Sequence, residues 1–144
     1  MKLSKSQEER ARELHRRSFV FDSHSDIQCE LVRRHYYGET QVLNRVFWNP
    51  LRKGGVDAIW FSTPPHLMVY PSYRGNYLQA GMHCIDLTLR EIEVCSDHFL
   101  LATRVQDVKR AKVEGKIAIF LGFEGADPIE ENLGNLRNFH RLGL

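Results

Sequence analysis

A chain of 144 residues with 20 Lys and Arg against 18 Asp and Glu carries a formal net charge of +2, so no phosphate-tracking surface is implied. That length supports one domain with its own core, burying roughly two thirds of the surface its unfolded chain exposes. The cysteines, Cys29, Cys84 and Cys95, form no C-x-x-C pair, which excludes a zinc ribbon or redox couple and fits a reducing, cytoplasmic setting.

The N-terminal "MKLSKSQEERARELHRRS" is charged throughout, unlike a secretory signal, and no later run approaches the ~18 apolar residues of a membrane span. A soluble intracellular protein is expected. Ser6 and Glu9 have the spacing of a capping box, which predicts a polar helix to about Arg17, so that residues 1–17 form an N-terminal helical extension. "SFVF" reads as a strand near 18–22, because aromatic and β-branched residues dominate it. In "NPLRKGG", Asn49 caps a short helix, Pro50 takes its first turn, and Gly54 and Gly55 stop it. "VDAIWFST" is a strand near 56–63, apolar almost throughout, as strands covered on both faces are.

A loop rich in proline and tyrosine follows, "PPHLMVYPSYRGNY". "MHCIDLTLREIEVCSDHF" predicts a helix whose stripe of Ile85, Leu89, Ile92 and Cys95 faces a core, in preference to Cys84, Thr88 and Glu91. Thr103 with Gln106 starts another helix that ends near Gly115. "KIAIFLGFEG" is a strand near 116–123 that runs into Glu124, and Asp127, Pro128 and Glu130 open a last helix stopped by Gly143. Three apolar strands separated by helices predict an α/β fold with a parallel sheet and helical crossovers.

If residues 20–26 stay extended, Val20, Asp22, His24 and Asp26 share one face, with Ser23 and Ser25 on the other. Ligands of parallel α/β folds gather at the carboxyl ends of strands, where His24 and Asp26 lie. Imidazole nitrogen with carboxylate oxygen suits zinc better than calcium, although His-x-Asp is short enough to arise by chance and also fits a turn or helix cap. Glu124 lies at a second such strand end, where a carboxylate is costly unless paired, metal-bound, exposed in the loop or bonded to the next helix N-terminus.

"DSHSDI", "LRKGGVDAIWFS" and above all "GKIAIFLGFEGADPIEENLGNLRNFHRLGL" resemble the N-terminal part of the membrane (renal) dipeptidase family of zinc peptidases, within the amidohydrolase superfamily. The resemblance runs from about Phe19 onward. It implies that 18–144 form the first three βα units of a (β/α)8 metallo-dependent hydrolase (TIM) barrel, incomplete in this chain. It also implies that His24 and Asp26 bind one metal and that Glu124, usually within Glu-Gly-Gly, bridges two zinc ions. Ser23 stands for the usual Gly, Ser25 for Asn, Ala126 for the second Gly, and Trp60-Phe61 for Phe-Trp; none of these removes a ligand. The family's second-metal and substrate-binding histidines, and its late aspartate, come from later strands. No catalytic residue is therefore assignable here, and substrate-binding residues are unassigned.

The function implied is that of a metallodipeptidase cleaving the peptide bond of dipeptides at a binuclear zinc site, with this chain carrying part of the site and inactive when isolated. A dipeptide is the expected substrate, and a homodimer or a complementing C-terminal half the expected partner; neither nucleic acid nor a membrane anchor is expected. One alternative is a TatD-like metal-dependent phosphoesterase, which typically shows His-x-His where residue 26 here is Asp. Another is a non-catalytic truncated fragment. His15, His35, His83, His98 and His140 read as structural or solvent-facing, while His66, Tyr70, Tyr73 and Arg74 share the loop that would overhang the site.

Overall fold

β-Branched and aromatic residues concentrate in short runs, and in the computed structural model, which describes residues 3–63 and 75–144, these runs pair into one parallel sheet. Its strands are β1 (Phe21–Ser25), β2 (Ala58–Thr63), β3 (Phe99–Leu101) and β4 (Ile117–Phe123), in the order β1-β2-β4-β3. Between them run α1 (Lys5–Arg17), α2 (Ile27–Tyr36), α3 (Trp48–Lys53), α4 (Tyr77–Val94), α5 (Val105–Glu114) and α6 (Leu133–Arg141). The α/β class with helical crossovers is as the sequence implies.

β1 starts at Phe21, later than the expected 18–22, because Val20 is occupied in joining the strand bases. Its N–H donates to Asp57 Oδ2 at 2.9 Å, and its carbonyl accepts from Asp57 and Ala58. Lys112 Nζ completes the joint, 2.7 Å from Asp57 Oδ2 and 2.6 Å from the Ser18 carbonyl. The sequence reading missed β3 and placed Phe99 in a helix. A strand of three residues is too short to show a period. It forms because α4 ends at Cys95 and the chain then buries Phe99 and Leu100 beside β4.

The helix starts differ in detail. Ser4, not Ser6, caps α1, in a reciprocal box with Gln7. α3 continues from a π-helical turn at Leu43–Phe47, so Pro50 lies inside the helix and Asn49 does not cap it; Gly55, at φ +70°, ends it as expected. Thr103 does not cap α5. Its backbone N–H instead donates to Asp107 Oδ2 at 3.1 Å, and Gly115 stops the helix in the left-handed conformation at φ +71°. After β4 the Asp-Pro-Ile segment makes only a 3-10 turn, and Asn132 caps α6 by accepting the Gly134 N–H at 2.8 Å.

One face of the sheet presents Ile59, Phe61, Ile117 and Ile119 to Leu31 and Val32 of α2 and Leu87 of α4. Burying each such side chain contributes about 1.5–3 kcal/mol. On the other face Ala58 and Ala118 are small enough to admit Ala111 and Val108 of α5. Beyond α5 this second face is more open than strands covered on both faces would be: Trp60 is 39 % and Phe21 48 % exposed beside an apolar cavity of about 390 Å³. The single core stripe expected on α4 also needs correcting. Cys84, Thr88 and Glu91 are buried along with Ile85 and Ile92.

Candidate metal centre at the strand ends

β1 does not stay regular up to its end. Asp22 lies opposite Ile59 and Ser25 opposite Phe61, so β1 takes three steps where β2 takes two. Such a bulge breaks the alternation that placed Val20, Asp22, His24 and Asp26 in one row. His24 packs against β2, with Nδ1 3.1 Å from the Ser62 hydroxyl, while its backbone N–H donates to Asp22 Oδ1 at 3.3 Å. Asp26 lies past the strand, at the N-cap of α2, yet its carboxylate makes no capping bond. It turns to the imidazole instead, with Oδ1 3.8 Å from His24 Nε2.

Glu124 directly follows the last residue of β4, Phe123, which pairs with Thr63 of β2. It is exposed, and among the described residues no hydrogen bond or ion pair engages its carboxylate, so it does not cap the following turn. Cys29 stands in the first turn of α2. Burial pushes its thiol pKa up most, and the negative charges of Asp26 and then Glu124 push it further. The structure thus brings His24 to Asp26, and the charges of Asp26 and Glu124 both act on one thiol. It does not close them into a finished cage: among the described residues no group of three or more His, Cys, Asp or Glu stands close enough to hold an ion.

The donor types nevertheless fit a borderline divalent cation such as zinc, which takes imidazole nitrogen and carboxylate oxygen at about 2.1 Å. A separation of 3.8 Å between His24 Nε2 and Asp26 Oδ1 lets one ion reach both. Ser62 adds a residue the sequence reading passed over. By accepting the Nδ1 proton, its hydroxyl would hold the ring in the tautomer that leaves the Nε2 lone pair toward Asp26. Nothing in the sequence singles it out beyond a hydroxyl near the end of an apolar run, and the structure buries it.

Beneath the rim lies Trp60, stacked on Phe120 with centroids 6.0 Å apart and ring planes 15° apart. Its indole crosses Gly122, where a Cβ would run into the indole nitrogen. The overhanging-loop residues His66, Tyr70, Tyr73 and Arg74 lie outside the described residues. The histidines read as structural have such roles where their contacts are described. His15 bonds the Gly54 carbonyl at 3.0 Å, and His98 stacks on Trp48 while bonding Asn44 at 2.8 Å.

Known proteins resemble this chain in sequence and in fold. The family model for membrane dipeptidase, peptidase family M19, matches residues 8–144. Dipeptidase tcpJ of Claviceps purpurea (strain 20.1) is 40 % identical over 60 residues, which is 42 % of this chain and 14 % of that protein. Among solved structures, the probable dipeptidase PvdM from Pseudomonas aeruginosa superposes with a TM-score of 0.73 at 15 % identity, over 99 % of this chain and 37 % of its own. A metallo peptidase from Rhodobacter sphaeroides, liganded with a phosphinate mimic of the dipeptide L-Ala-D-Ala, gives a TM-score of 0.70 at 17 % identity, over 88 % of this chain and 43 % of its own. This chain therefore spans less than half the length of these relatives. At such identities the solved structures speak to fold alone, and the parallel sheet is part of a TIM-barrel-type architecture.

Proposed function

Because the chain belongs to the membrane dipeptidase family, peptidase family M19, we propose that His24, Asp26 and Glu124 serve a metallodipeptidase that hydrolyses the peptide bond of dipeptides at a two-zinc centre, this chain supplying part of the ligand set. The observation that carries this reading is the 3.8 Å approach of Asp26 Oδ1 to His24 Nε2 at the carboxyl end of β1. The phosphinate dipeptide mimic held by the Rhodobacter relative supports a dipeptide as substrate.

Zinc bound there would supply Lewis acidity toward the scissile carbonyl and lower the pKa of water. The chain's own residues hold and orient. His24 offers Nε2 because Ser62 engages Nδ1. Asp26, with no capping bond, keeps both oxygens available, and Glu124 brings a second carboxylate whose charge no described side chain offsets. Trp60, two residues before Ser62 on β2, and Phe120 present stacked apolar surface on the Ser62 side of the sheet. These are holding roles, and proton transfer is assigned to none of them. Among the described residues no helix is long and apolar enough to cross a membrane.

Calorimetric zinc titration of the wild-type chain beside His24→Ala, Asp26→Ala and Glu124→Ala tests the ligand set. Each variant is expected to weaken binding tenfold or more, and equal binding by all four proteins would remove the assignment. Assays with zinc on a dipeptide and on a phosphodiester, run on the full-length or reconstituted protein, separate the enzyme classes. Turnover of the phosphodiester alone would sink the dipeptidase reading.

A further inference from the structure

We propose that Glu130 is a positioning residue for Glu124, holding the connection between β4 and α6 against the start of α4. The proposal rests on the metal-centre reading of Glu124. No described side chain holds that carboxylate, so its place is set by the backbone that carries it from Phe123 to Asn132.

That backbone is pinned at both ends. Phe123 packs edge-on against Phe139 of α6, with centroids 4.9 Å apart, and its ring also comes up to Gly81 of α4. A Cβ at Gly81 would lie 3.0 Å from the Phe123 ring and 3.0 Å from the Pro128 ring, so the residues on either side of Glu124 both bear on the one bare spot of α4. Asn135 Nδ2 donates to the Ile129 carbonyl at 3.0 Å, which fixes the turn to α6.

Glu130 closes the bracket. It has φ 49° and ψ 47°, and Glu131 has φ 58°, left-handed conformations that side-chain-bearing residues rarely adopt. Consecutive residues persist there only where surrounding contacts over-determine them. The contact here is Glu130 Oε1 accepting the Leu78 N–H at 3.1 Å. Leu78 is the second residue of α4, and Asn76 at the N-cap makes no side-chain capping bond, so a carboxylate from a distant segment does the capping and meets the positive end of the helix dipole. Without that tie the two left-handed residues are free to relax, and the strand end bearing Glu124 relaxes with them.

The test compares Glu130→Ala and Glu130→Gln in the whole chain. Two quantities are read: backbone 15N order parameters of Glu124 and Gly125 without metal, and zinc affinity by calorimetry. Glu130→Ala is expected to lower both order parameters and to weaken zinc binding about tenfold, as loss of an outer support does. Glu130→Gln keeps the acceptor oxygen and is expected to retain both. Unchanged order at Glu124 in Glu130→Ala overturns the proposal. So does lower order with unchanged zinc affinity, which would make Glu130 a helix cap and nothing more, and so does equal loss in Glu130→Gln. If the wild type takes up no zinc, the metal-centre reading fails while the order parameters still decide the positioning. Should Glu130→Ala not fold, Glu130→Asp, one methylene short of Leu78, replaces it.

Discussion

The Glu91 carboxylate, in a residue only 1 % exposed, lies 2.7 Å from His35 Nε2 and also accepts the Leu43 N–H at 3.0 Å. A carboxylate so deep in the protein is tolerable only with such partners. The pair joins α2 and α4 and secures the chain entering the π-helical turn. Glu91→Ala strands the Leu43 N–H and the imidazole together and should cost about 3 kcal/mol. Glu91→Gln, which keeps an acceptor, should cost less. Urea unfolding midpoints measure both, and a loss below about 0.5 kcal/mol for the alanine variant would contradict this account.

Gly122 must lack a side chain because the Trp60 indole lies across it. Gly122→Ala should destabilise by about 1–3 kcal/mol through overpacking and shift the tryptophan emission. Adding Trp60→Phe should recover most of the loss, a non-additivity expected of touching groups. Additive effects in the double variant would show that the clash is elsewhere.

Glu30 predicts an acid dependence. Its carboxylate accepts from Arg33 Nε and Nη2 at 2.7 and 2.6 Å and from Arg34 Nε at 2.6 Å. The Arg33 hydrogen bonds, followed by those of Arg34, hold its pKa down at about 2. A lowered folded-state pKa stabilises fully above the ordinary glutamate value, and that contribution is lost as pH falls through about 2. The side chain is 30 % exposed, so solvent screening reduces the effect to about 1 kcal/mol. Wild type and Glu30→Gln should therefore differ at pH 7 and converge below the folded-state pKa, as followed by denaturant melts. A gap that widens on acidification would reverse the sign.

The thiols should react unequally. Burial pushes Cys84 up to about 12 and raises Cys95, whereas Cys29 is only half-buried. Iodoacetamide at pH 8 should modify Cys29 slowly in the folded chain, and Cys84 and Cys95 only after unfolding, as peptide mass mapping can follow. Prompt labelling of Cys84 would mean that α4 opens locally or packs otherwise.

What could be read from residues alone followed the strength of local patterns. The β2 and β4 runs are long and apolar, and His24, Asp26 and Glu124 stand at strand ends where a composition of His and carboxylates is visible. Ser62 was not legible, because its importance comes from a register with His24 that only pairing creates. β3 is too short to carry a period. Glu91 looked like the solvent side of α4, since nothing local signals that His35, 56 residues away in the chain, comes to meet it. Glu130 read as part of a capping box for its own helix, while its carboxylate serves α4 instead.

Phe21 and His24 are an odd number of positions apart, so a regular strand would send them to opposite sides of the sheet. The spare residue between Asp22 and Ser25 acts as a phase slip that lets one strand serve two layers. Phe21 stands in the aromatic wall, 5.9 Å from Phe120, and His24 reaches Ser62 above it. Deleting Ser23 would therefore do more than shorten a turn. It would leave Phe21 and His24 two positions apart, so that a regular β1 in strict register with β2 would carry the aromatic and the imidazole on the same side without the slip.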